Sequence, residues 1–209
     1  MTMFTRTLAA LAVVVIFAAP ALAGPPLICF PFQTDGGKLI AWGAGSGWNT
    51  PDRSYDIKRL ITDTNAVLTG DAPILTRMEN LRRATIYAQR DPEIADALLK
   101  SVMGRALGTT TDARAWFDAG YLIESYRQVS AIQPRNAGSS APRYSSPIAS
   151  QPEIDGLRFV EKALELAGSN PEMEFAASLM KEGSAADAHR QRAVAGARPG
   201  SLLAKNLAR

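Results

Sequence analysis

The chain has 209 residues, 46% of them hydrophobic and 21% charged, with a net charge of +3, one Cys (Cys29) and one His (His189). That apolar content is too high for a disordered chain, and so small a net charge argues against nucleic acid as a partner. A single Cys and a single His exclude an internal disulfide framework, a Cys-rich zinc module and any multi-histidine metal centre, and no cofactor motif takes their place.

Residues 1–23 have the form of a secretory signal peptide. Arg6 supplies the positive start, residues 8–19 form an uncharged apolar run, Pro20 breaks it, and Ala21-Leu22-Ala23 presents small residues for cleavage. The apolar run is shorter than the roughly 20 residues a spanning helix needs. The expectation is an exported protein, periplasmic or extracellular after cleavage near Ala23. Ile28 directly before Cys29 argues against lipidation, which wants a small residue there. Removing these 23 residues, whose one charge is Arg6, leaves 186 with net charge +2. That is enough for one domain that folds without disulfides.

Residues 24–53 read as an arm. Gly24-Pro25-Pro26 and Pro31 oppose helix, while residues 27–30 and 38–42 are apolar runs of strand length separated by the turn Asp35-Gly36-Gly37. Either a loose hairpin or an extended segment packed on a helical body would fit. From residue 50 the period becomes helical. Thr50-Pro51-Asp52 has the residues of an N-cap, N1 proline and acidic first turn, followed by Ile57, Leu60, Ile61, Thr64, Val67 and Leu68. Asp71 and Pro73 open a second helix through Ile74, Met78, Leu81 and Thr85. Asp91-Pro92-Glu93 opens a third that Gly108 closes. Thr111-Asp112 starts the strongest, with Trp116, Ala119, Leu122, Ile123, Tyr126 and Val129 on one side.

Residues 134–152 hold four prolines among glycine and serines, so a long loop is expected there. Helical spacing resumes at Glu153 and runs to Ala167; Asn170-Pro171-Glu172 repeats the opening signature; and Ser184 with Asp187 has capping-box spacing. After Asp187 no acid occurs, while Arg190, Arg192, Arg198, Lys205 and Arg209 make a basic end. The expected architecture is all-α: a bundle or short solenoid of six to seven antiparallel helices over residues 54–196. The irregular arm precedes it, and a solvated basic tail at 197–209 could touch an anionic membrane surface.

Part of this pattern resembles a tetratricopeptide repeat. Trp116, Ala119-Gly120 and Ile123 are similar to its first helix, and Lys162-Ala163-Leu164-Glu165-Leu166 followed by Asn170-Pro171 to the end of its second, all within residues 112–180. The resemblance implies a concave surface that binds a peptide or protein; it does not imply catalysis.

Candidate chemistry is sparse. Gly43-Ala44-Gly45-Ser46-Gly47 misses the dinucleotide fingerprint, because Trp48 stands where the third glycine belongs, and it also misses the G-x-S-x-G elbow. It reads as a connector or, alternatively, as an anion or ligand cradle. Trp42 and Trp48 bracket it, and with Tyr144 in the long loop they are the aromatic candidates for contact with a ligand or partner. Cys29 would need a base, and His189 lies 160 positions away in a polar stretch expected to be exposed. Glu172 and Glu174, two apart, face different directions on a helix. The sequence therefore favours a non-enzymatic exported protein with a protein or peptide partner. The alternative is a cell-envelope hydrolase or carbohydrate binder using carboxylates or the Trp42/Trp48 region.

Overall fold

The computed structural model describes residues 26–45, 47–68, 70–132, 146–149, 151 and 153–208. Tyr144 and most of the 134–152 loop lie outside them. Among the described residues the fold is all-α, with nine helices and no strand: α1 (Pro26–Cys29), α2 (Leu60–Val67), α3 (Ile74–Ala88), α4 (Pro92–Leu107), α5 (Ala113–Ile132), α6 (Gly156–Ala167), α7 (Pro171–Ser178), α8 (Gly183–Gly196) and α9 (Leu202–Leu207). A 3₁₀ turn, Ile57–Arg59, leads into α2.

Local chemistry explains most boundaries. Asp91 caps α4 by accepting from the Glu93 and Ile94 N–H groups, with Pro92 at N1, and Asn170 does the same for α7 through Glu172 and Met173. Asp155 caps α6. The longest helix, α5, packs on α3, α4 and α6. Its crossing with α6 is backbone on backbone: a Cβ on Gly120 would stand 2.4 Å from the Gly156 carbonyl oxygen, and one on Gly156 2.5 Å from that of Gly120. Glycine at both positions is what allows the helices to meet. Glu124 then accepts the Gly156 N–H at 2.9 Å and ties the start of α6 to α5.

Four expectations need correction. Thr50-Pro51-Asp52 starts no helix; the 3₁₀ turn is capped instead by Asp56, and Asp52 turns its Oδ1 to the Ser54 N–H and hydroxyl. Ser184 and Asp187 make no capping box, because α8 begins at Gly183 behind Glu182, which forms no side-chain cap. The strand-length runs of the arm form no ladder: residues 27–29 lie in α1 and residues 38–42 belong to no strand. The tail is not a solvated end. Residues 202–207 form α9, whose Leu203 and Asn206 are buried. Asn206 Oδ1 accepts the Gln33 N–H at 2.9 Å and its Nδ2 donates to the Gln33 carbonyl at 3.1 Å, which joins the tail to the arm.

The centre of the molecule is α3, and it is not an apolar helix. Every residue of it except Arg83 is buried, including Thr76, Arg77, Glu79, Asn80, Arg82 and Thr85. Ile74, Met78 and Leu81 face the helical core as the periodicity predicts. The polar residues serve a different neighbour, the arm.

Candidate functional site

An extended segment against a helix has backbone N–H and C=O groups with no ladder to join, and burying them unpaired costs free energy. Side chains of α3 meet that demand. Asn80 Oδ1 accepts from the Ile40 N–H at 2.9 Å and its Nδ2 donates to the Lys38 carbonyl at 3.0 Å. Glu79 accepts the Phe32 N–H at 3.0 Å. Arg82 donates to the Ile28 and Trp48 carbonyls at 3.2 and 2.9 Å, and Arg83 to that of Ile40 at 2.7 Å.

The charges doing this are paired with each other. Glu79 holds Arg82 through two hydrogen bonds of 2.8 Å and Arg83 through a third. Burial alone would raise the Glu79 carboxyl, but the two guanidiniums and the Phe32 N–H hold it below the ordinary carboxylate value. A second buried pair, Arg77 with Asp118 at 2.6 Å, links α3 to α5. There burial wins and pushes Asp118 up to about 7, against the pull of Arg77 and Arg105.

One hydroxyl closes the glycine-rich loop. Tyr87 donates to the Ala41 carbonyl at 2.8 Å and accepts the Asp52 N–H at 3.0 Å, so both ends of residues 41–52 meet on one side chain. Inside that clasp the Gly43 N–H donates to the Thr50 carbonyl at 3.1 Å, and the Thr50 hydroxyl lies 3.0 Å from the Gly47 carbonyl oxygen and 3.3 Å from that of Gly45. A Cβ on Gly43 would fall 2.6 Å from the Thr50 oxygen, so the loop closes only around glycine there.

Trp42 and Trp48 both lie half-buried against the core. Trp42 meets Tyr87 edge to face at 5.5 Å, and the Arg82 and Arg83 guanidiniums lie over its ring at 5.1 and 5.4 Å. Its π-surface is thus engaged by the protein's own cations. Trp48 contributes its backbone carbonyl to Arg82.

A separate pocket opens where the arm meets α7, α8 and α9. Pro26, Phe30, Pro31, Phe32, Phe175 and Leu179 line it, with Arg190 and Asn206 supplying the polar edge. Phe32 and Phe175 pack edge to face at 6.2 Å. Its volume is about 60 Å³, room for part of one side chain.

Cys29 is half-buried, and burial pushes its thiol up, away from the reactive thiolate. His189 is not the exposed residue its polar surroundings suggest. It is largely buried, with Nδ1 2.6 Å from Glu174 Oε2, and Arg192 binds the other oxygen of that carboxylate at 2.8 Å. Glu174 is thereby held below its usual value despite partial burial. Glu172 goes the other way, raised by burial against the N–H groups of Leu75 and Ile74 at the start of α3. Among the described residues no group of three or more His, Cys, Asp or Glu is placed to hold a metal ion, and no helix is long and apolar enough to cross a membrane.

The residues that organise this region, Glu79, Asn80, Arg82, Arg83 and Tyr87, are ones the sequence did not single out. The available signal was a helix with four charges and an asparagine between Gly70 and Asp91, in which only four positions form an apolar stripe. Comparison with protein-family models, with curated proteins and with solved structures finds no match to the chain.

Proposed function

We propose that the chain is an exported, non-enzymatic protein that binds a protein or peptide partner in the cell envelope. The observation that carries this reading is the pocket between the arm and the C-terminal helices. Proline and phenylalanine walls of this size suit the tip of one apolar anchor side chain, and a guanidinium at the edge complements a carboxylate beside that anchor. The partner segment would therefore pair an apolar residue with an acidic one.

The tetratricopeptide-like reading of residues 112–180 adds support. Its signature residues lie on a close helix pair, with Trp116 against Phe159 at 5.3 Å and Gly120 against Gly156. Such pairs are the units from which helical peptide-binding surfaces are assembled. Export rests on the pattern of residues 1–23.

The test is selection of a displayed random-peptide library on the purified protein, followed by fluorescence polarisation with the enriched peptides. Enrichment of apolar–acidic segments, with binding about tenfold weaker to Phe30→Ser and to Arg190→Gln, is the expected result. Absence of enrichment over a blank surface, or equal binding to both variants, would contradict the proposal.

A further inference from the structure

The glycine-rich loop encloses more than its own backbone. Between it and the start of α4 lies an open cleft of about 520 Å³, within the range of small-molecule sites. Gly43, Gly45, Asn49 and Thr50 of the loop line it together with Arg53 and Arg90. This cleft does not include Trp42 or Trp48, and it is separate from the apolar pocket.

Three observations give it a ligand class. First, the wall is pre-formed, because the Tyr87 clasp and the Thr50 ties fix the loop before anything binds. Second, Arg90 is held at the cleft: its guanidinium lies over the Tyr87 ring at 5.0 Å and reaches the Asp52 carbonyl at 3.4 Å. Third, among the described residues neither Arg53 nor Arg90 forms a salt bridge, whereas each guanidinium of the neighbouring α3 contacts a carboxylate, Arg77 that of Asp118 and Arg82 and Arg83 that of Glu79. Asp52 also lines the cleft, and the two hydrogen bonds from Ser54, at 2.8 and 2.7 Å, together with the charge of Arg90 hold its carboxylate below the ordinary value, so it offsets one of the two arginines. The lining therefore keeps an excess of positive charge, beside small residues that allow close approach.

From these we infer that the cleft binds a small ligand bearing an oxyanion, a carboxylate or a phosphate, held between Arg53 and Arg90. Guanidinium forks match the paired oxygens of both groups. The inference is independent of the peptide pocket, and each can fail without the other.

The experiment is isothermal titration of the full chain with sodium phosphate and, separately, with N-acetylmuramic acid as a sugar carboxylate, each against sodium chloride of matched ionic strength. Saturable binding of phosphate, of the sugar acid or of both supports the inference and tells the source of the oxyanion. That binding should weaken about tenfold in Arg53→Gln or Arg90→Gln, with the circular dichroism spectrum unchanged. No saturable binding of either compound above chloride, or binding retained when both arginines are replaced, would overturn it.

Discussion

Asn80 meets Ile40 as a neighbouring strand would. Its side-chain amide accepts the Ile40 N–H at 2.9 Å and returns a hydrogen bond to the Lys38 carbonyl two residues back, so a helix side chain stands in for a peptide group. The position is fully buried. Asn80→Ala leaves both arm groups without their partner, at a cost of about 1–3 kcal/mol. Urea unfolding should show a lower midpoint with an unchanged slope.

Glu79 carries the larger share. Replacing it by Gln leaves the Arg82 guanidinium, 0% exposed, without its counter-charge, and removal of one partner from a buried pair costs about 3–5 kcal/mol. The pH dependence has a fixed sign. Because the folded carboxyl sits below its ordinary 4.5, its contribution is present above pH 4.5 and is lost as pH falls through the folded value. Wild-type stability should therefore drop on acidification below 4.5, and Glu79→Gln should show a shallower drop in the same denaturant titrations.

Two helix glycines should respond in opposite directions. Gly120→Ala drives a methyl group into the Gly156 backbone and should cost about 1–3 kcal/mol by forcing α5 and α6 apart. At Gly104 in α4 a Cβ meets nothing within 4 Å, so Gly104→Ala should gain about 0.5–1 kcal/mol. Thermal melts of the two variants separate crowding from helix propensity.

At the tail, Asn206 and Lys205 make adjacent contacts of unequal worth. Asn206→Ala removes both hydrogen bonds to Gln33 and should speed thermolysin cleavage at the Ser201–Leu202 bond. Lys205→Ala breaks an ion pair with Asp35 in which both side chains are about half exposed, and should leave the cleavage rate and the melting temperature unchanged.

The helical body was legible because its signals are local. Asp91-Pro92 and Asn170-Pro171 end and begin helices through contacts within three residues, and the stripes at Ile74, Met78 and Leu81 or at Leu122, Tyr126 and Val129 mark the core face. The arm and tail were not legible for the opposite reason. Glu79 to Phe32, Asn80 to Ile40 and Asn206 to Gln33 span 47, 40 and 173 positions, and no periodicity reports which distant backbone a polar side chain will satisfy. Thr50-Pro51-Asp52 misled because its cap-forming groups were used otherwise, with Thr50 bound to the glycine loop and Asp52 to Ser54. His189 was placed in water by its neighbours in sequence, whereas Glu174 on the adjacent helix decides its surroundings.

Both proposed sites hang on the same arm, so its attachment to α3 is the claim to test first. Amide hydrogen exchange of Phe32 and Ile40, read in the wild type and in Asn80→Ala, does this directly. Wild-type protection should be comparable to that of the α3 backbone, with Ile40 losing protection in the variant while α4 and α5 keep theirs. Exchange of Phe32 and Ile40 in the wild type at the rate of an unstructured peptide, beside protected helices, would contradict it.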